Sequence, residues 1–263
     1  VHRARDTITG RPFVHDTPLN RLVAMSNNLG RPELDYVILG EGNTSAREDA
    51  DSFWVKASGY EMRTITQDGF VRVARKRVLA ILDVPNLSDE QLKQLLADSK
   101  VEASPGHPSV ETVLHAIALG LDGVNFVGHT HPTAINAITC SAVFEVAVSG
   151  RLFPDEIVLG GPAPVLVPYV DPGVPLARAV AQRIEQYLEE YGETPRIILM
   201  QNHGFIALGS TPQQVENITA MAVKAARVLQ GTYALGGPHF MSPKAVARIH
   251  TRPDEHLRRR VIG

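Results

Sequence analysis

Residues 124–140 read "VNFVGHTHPTAINAITC", and this stretch settles how the middle of the chain folds. The apolar run through Val127 reads as a strand. Pro132 fits the first turn of a helix, where its missing N–H is not needed, so "PTAINAITC" reads as the helix that follows. A strand sends residues i and i+2 to one face, so His129 and His131 project together from the strand end. Two neighbouring imidazoles begin a metal site, and a catalytic one wants a third protein ligand and an open position. His203, in the turn "NHG" between the strands "RIILMQ" and "FIALG", is the candidate third ligand. The spacing alone equally fits a pair that only donates hydrogen bonds at a strand end, because HxH is a short and common match.

Upstream, "PSVETVLHAIALG" reads as a helix begun at Pro108 or Ser109 and ended at Gly120, which gives the middle a βαβ-like rhythm. Farther out, "TPLNRLVAMSNNLG" is an amphipathic helix, and "DYVILG" and "SFWVKAS" read as strands bracketing the polar loop "EGNTSARED". Residues 74–82 and 88–97 read as helices, the second opened by a Ser88/Gln91 capping box. The Gly/Pro-rich segment 160–175 reads as a loop, followed by a helix near 175–190. A long helix starts at Thr211 as cap and Pro212 as first residue, with Gln214 completing a capping box. Two short helices split at Pro253 close the chain. With no internal repeat or low-complexity linker, one domain over residues 1–263 is expected.

Composition narrows the function. The net charge of −2 and the absence of basic clusters interleaved with aromatics speak against nucleic acid. No apolar run approaches the roughly 20 residues that span a bilayer, and "VHRARDTITG" lacks the apolar core of a signal peptide, so a soluble, cytoplasmic protein is expected. Cys140 is the single cysteine, which leaves nitrogen and oxygen as metal ligands. The sequence contains no GxxxxGK[ST], GxGxxG or GxSxG, which removes P-loop, dinucleotide and serine-hydrolase chemistry as leading ideas. A cupin site expects a glutamate shortly after the HxH, where Ile135 and Asn136 stand. An amidohydrolase barrel places the HxH on its first strand, whereas about half of this chain precedes it. Glu111 lies at a helix start, where the dipole favours a carboxylate with no other role. His115, four residues on, reads as a satisfied helix histidine. The Gly/Ser-rich turns "GEGNTS" and "KASG" can aim N–H groups at an anion but are also ordinary connections.

Taken together, "GEGNTS", "KASG", "PSVETVLHA", "GHTHP" and "QNHG", in this order between residues 40 and 204, resemble the class II aldolase/adducin family. The first three look closest to the aldolase domain of bifunctional rhamnulose-phosphate aldolase/lactaldehyde dehydrogenases. The resemblance implies a three-layer αβα fold with a central, mainly antiparallel or mixed sheet flanked by helices. It implies a divalent metal, usually zinc, with manganese or cobalt as other options, held by His129, His131 and His203. Glu111 would be the acid/base and in the resting enzyme a further ligand. Gly42, Asn43, Ser58, Gly59 and Ser109 would bind the phosphate of a small hydroxyketone, although Val110 replaces a second serine. The implied reaction breaks or forms a C–C bond through an enediolate, in an enzyme of carbohydrate metabolism that assembles as a homotetramer. A decarboxylase of 3-oxo sugar acids and a ribulose-phosphate 4-epimerase share this logic, but the epimerase branch typically has Asp where Glu111 stands. An adducin-like interaction module is a reading of another class, disfavoured because such heads lose ligands that this chain keeps.

Overall fold

In the computed structural model, which describes residues 16–255, four α-helices open on a side-chain cap. Thr17 Oγ1 accepts from Asn20 N at the start of α1 (Pro18–Leu29). The first half of the chain continues with β1 (Asn43–Arg47), β2 (Ser52–Lys56), β3 (Phe70–Ala74), α2 (Arg75–Ala80), α3 (Asp89–Asp98) and α4 (Thr112–Ala118). β4 (Phe126–Thr130), α5 (Thr133–Thr139), α6 (Phe144–Ala147), α7 (Pro154–Gly160) and β5 (Val165–Val167) follow. The chain then adds α8 (Val174–Tyr191), β6 (Ile197–Met200), β7 (Gly204–Gly209), α9 (Pro212–Tyr233) and α10 (Pro243–Thr251). Ser88 and Gln91 make the expected reciprocal capping box on α3. On α9, Thr211 caps as expected, but Gln214 Oε1 reaches one residue farther back and accepts from Ser210 N at 2.6 Å, so no box forms.

The strands form one seven-stranded sheet of order β3-β2-β1-β4-β7-β6-β5. Every neighbouring pair is antiparallel except β5 and β6, which are joined by α8. The middle stretch that read as βαβ-like is not one, because β4 pairs antiparallel with both β1 and β7, and the one parallel crossover lies farther on, at β5-α8-β6; the sheet is mixed and mainly antiparallel. Helices cover both faces, giving a three-layer α/β architecture with an apolar core on each side. α2, α4 and α8 pack together on one face, and α1, α5 and α7 pack around α9 on the other. No helix of the described residues is long and apolar enough to cross a membrane.

Three sequence expectations are corrected. "DYVILG" is not a strand: Asp35 and Leu39 have φ of 58° and 52°, and Ile38 and Leu39 are exposed, so the segment is a loop at the end of the central strands, where the Tyr36 carbonyl accepts from His131 N. The polar segment read as a loop is β1, a central strand. Its side chains alternate as a strand demands, and each finds a partner on its own face. Ser45 reaches His115, and Arg47 donates to the carbonyls of Leu119 and Val124 at the end of α4. Thr44 on the other face bonds Ser26 of α1 at 2.6 Å. Burying polar side chains is tolerated because they are hydrogen-bonded. Finally, the 160–175 loop contains β5, a short strand beside β6. Of the second tail helix expected after Arg252, residues 253–255 are helical and the rest lies outside the described residues.

Candidate metal centre

The site lies at one end of the sheet because three strands put their ends there. β1 begins at Asn43, opposite His129 of β4, and β7 begins at Gly204, next to Phe205, which pairs with Thr130. His129 is fully buried on the α4 face of β4. Its Nδ1–H donates to the Phe205 carbonyl at 3.1 Å, which leaves the Nε2 lone pair pointing into the site. His131 follows one residue past the strand, with Nε2 3.0 Å from His129 Nε2. The turn 201–203, with Asn202 at φ 53°, carries His203 back toward both. The three ring centroids are 4.8, 5.1 and 5.3 Å apart. A ligand atom from each of the three lies within 4.8 Å of the others.

Glu111 closes the group. α4 starts at Thr112, later than the sequence suggests, because Pro108 pairs with Ala57 in an isolated bridge and the Ser109 carbonyl accepts from Thr112 N in a turn. Glu111 thus stands just before the helix and caps nothing with its side chain. Oε1 lies 3.0 Å from His203 Nε2, Oε2 lies 3.5 Å from His129 Nε2, and Oε2 accepts from Asn43 Nδ2 at 2.6 Å. Burial alone would raise its pKa, but His129, His203 and Asn43 outweigh it and hold the carboxyl well below the usual carboxylate range. Burial lowers His129 and His131 to about 4, so both are neutral at pH 7. These two uncharged imidazoles, the His203 ring and one ionised carboxylate are a donor set that fits zinc or a similar divalent ion.

The residues expected to bind an anion gather beside this group. Gly42 precedes Asn43, and Ser58 and Gly59 leave the end of β2 exposed, with Ser58 N bonded to the His107 carbonyl. Ser109 Oγ accepts from Glu111 N at 3.3 Å. Val110 turns away and packs against the core on the α4 face. Asn43 is the exception, since its side chain is engaged by Glu111 and His115.

Two glycines are fixed by this packing. At Gly42, φ is +67° and a Cβ would sit 2.6 Å from the His129 carbonyl oxygen. At Gly204, a Cβ would sit 2.5 Å from His131 Cδ2 and 2.9 Å from the Thr130 carbonyl oxygen. Gly42→Ala is expected to cost about 2 kcal/mol or more and lower Tm by several degrees. Gly59→Ala, at φ +86° with no atom near its Cβ, should cost less. Equal melting temperatures for the Gly42 variant and wild type, by circular dichroism, would refute the steric account.

Lys56 was not assigned from the sequence. It is buried at the end of β2, and Nζ donates to the Tyr60 carbonyl at 2.7 Å and the Gly40 carbonyl at 3.4 Å, tying the two Gly-containing loops together. Burial lowers its pKa, and the charge of Glu111 acts in the opposite direction. A lysine between apolar strand residues in "WVKAS" was the available signal. Glu41, with Oε1 3.9 Å from His131 Nδ1, also went unassigned.

The profile of the Class II Aldolase and Adducin N-terminal domain matches residues 20–229. The chain belongs to that family. Among solved structures, it resembles the N-terminal class II aldolase domain of a conserved protein from Thermoplasma acidophilum, with a TM-score of 0.63 and 29% identity over 81% of this chain and 93% of that one. It also shares the fold of L-fuculose-1-phosphate aldolase from Thermus thermophilus, with a TM-score of 0.58 and 17% identity over 84% of this chain and all of the other. A curated relative, the uncharacterized oxidoreductase YuxG of Bacillus subtilis (strain 168), is 27% identical over 79% of this chain. The chain spans only 29% of that protein's length. All five segments that carry the sequence resemblance lie within the family match.

Proposed function

We propose that this class II aldolase/adducin family member is a divalent-metal-dependent carbon–carbon lyase acting on a small, phosphorylated hydroxyketone. The observation that carries the reading is the Glu111 carboxylate set between two imidazoles, 3.0 Å from His203 and 3.5 Å from His129, at the edge of a three-histidine cluster. An ion held by His129, His131 and His203 supplies Lewis acidity that stabilises the negative charge left on the donor oxygens when the C–C bond breaks. Glu111 moves the proton at the donor carbon, and its ionised state readies it to accept one. Gly42, Ser58, Gly59 and Ser109 receive the phosphate through N–H and hydroxyl groups, with Lys56 holding the two loops in register. A phosphate needs several donors, and the inward-packed Val110 leaves Ser109 as the one hydroxyl of its pair.

The fold likeness to a fuculose-phosphate aldolase supports testing ketose 1-phosphates first. Zinc-loaded protein is expected to cleave such a ketose to dihydroxyacetone phosphate and an aldehyde, with a higher kcat/KM than for the unphosphorylated ketose. Equal turnover of the two would remove the phosphate assignment. Oxidation of the substrate with a nicotinamide cofactor, and no cleavage, would overturn the lyase reading.

A further inference from the structure

Behind Glu111 runs a chain of hydrogen bonds whose direction chemistry fixes. An ionised carboxylate only accepts, so the Asn43 atom 2.6 Å from Oε2 is the donating Nδ2. The other end of the amide, Oδ1, also only accepts, so the His115 Nε2 bonded to it carries the ring proton. A neutral imidazole protonated at Nε2 presents a lone pair at Nδ1, and this accepts from the Ser45 hydroxyl at 2.7 Å. Each link is matched to the one before it, from Glu111 to Asn43 to His115 to Ser45, whose hydroxyl can donate or accept. His115 is completely buried on α4, one turn past Glu111, and Ser45 and Asn43 are alternate residues of β1. The strand and helix together therefore present one relay to the carboxylate.

We propose that His115 is a positioning residue that locks the Asn43 amide with its N–H toward Glu111, so that this side chain serves the carboxylate and not the substrate phosphate. The inference rests on the reading of Glu111 as the working carboxylate beside a metal. Without His115 the amide oxygen loses its donor and the side chain is free to turn away, which leaves the carboxylate without the Asn43 N–H. An amide flip is invisible to shape alone, which is why a fixed tautomer on the adjoining side chain is needed to decide it.

Two measurements test this. In the wild-type protein labelled with 15N-histidine, His115 should give the nitrogen shifts of a neutral ring protonated at Nε2, with Nδ1 bare. A ring protonated at Nδ1, or at both nitrogens, overturns the proposal, and this result does not depend on activity or metal. In the second, zinc affinity is read by competition with a chelator. His115→Phe, which keeps the ring volume and removes both bonds, should weaken zinc roughly tenfold, the lower range for partners that orient ligands. His115→Gln, whose amide can donate to Asn43, should restore most of it. In an Asn43→Ala background, His115→Phe should cost nothing more. A full additional tenfold loss there would mean that His115 acts by packing and not through Asn43. If wild-type protein bound neither zinc, manganese nor cobalt, the lyase reading would fail, while the nitrogen shifts would still decide the role of His115.

Discussion

His129→Ala is expected to take the zinc content of the protein from about one ion per chain to nearly none. His129 is the most constrained of the three candidate ligands. It is fully buried, and its Nδ1–H is held by the Phe205 carbonyl, so its Nε2 has a single direction. Losing an orienting partner of a ligand typically costs about 10–100-fold in metal affinity, and losing the ligand itself should cost more. The truncation also leaves a cavity in a packed region, worth a few kcal/mol of stability on its own. His129→Gln fills more of that space and separates the two effects, because it should fold close to wild type and still fail to hold the ion tightly. His131→Ala and His203→Ala should lose zinc as well. Elemental analysis on dialysed protein decides the matter, and a full complement of zinc in the His203→Ala protein would exclude the three-histidine assignment.

The second large effect is on proton transfer. Glu111→Gln should keep the fold and the three-histidine cluster, since Glu111 stands before α4 and caps none of its N–H groups. General-base catalysis is typically worth about 10²–10⁴-fold, so deuterium exchange at the donor carbon of dihydroxyacetone phosphate should slow by that factor. NMR integration of the donor signal in D2O reads it directly. The contrast between the two variants matters more than either alone: the first loses metal and exchange together, the second, at saturating zinc, still holds the ion on its three histidines and loses exchange. Exchange at the wild-type rate in the Glu111→Gln protein would assign the base elsewhere.

What the sequence made legible follows the physics of each signal. Helix starts at Ser88 and Thr211 were readable because a hydroxyl cap is a local device, settled within three residues. The HxH pair and the NHG turn were readable because strand alternation fixes both imidazoles on one face. β1 was not, since its side chains are polar and hydrophobic patterning therefore reports a loop. Partners 18 to 77 positions away, among them Ser26, His115, Leu119 and Val124, make "NTSAR" a buried strand. The converse error at "DYVILG" has the same origin. Its apolar residues suggest a strand, but Asp35 and Leu39 take up left-handed conformations that no propensity at those positions forecasts. His115 read as a satisfied helix histidine, and it is one; what satisfies it, Ser45 and Asn43, belonged to the strand that the pattern hid.

The Cβ missing from Gly204 has a use beyond this chain. His131 rests against bare backbone there, so the hairpin's smallest residue sets the aperture of the histidine cluster. When relatives are sorted by their histidines alone, a chain with both HxH and an alanine after the third histidine would be counted as complete. By the contact distances found here its His131 ring would be pushed out of line, and the ligand set would survive in the alignment but not in space. The third letter of "NHG" is therefore the position to inspect when deciding which family members retain a working centre.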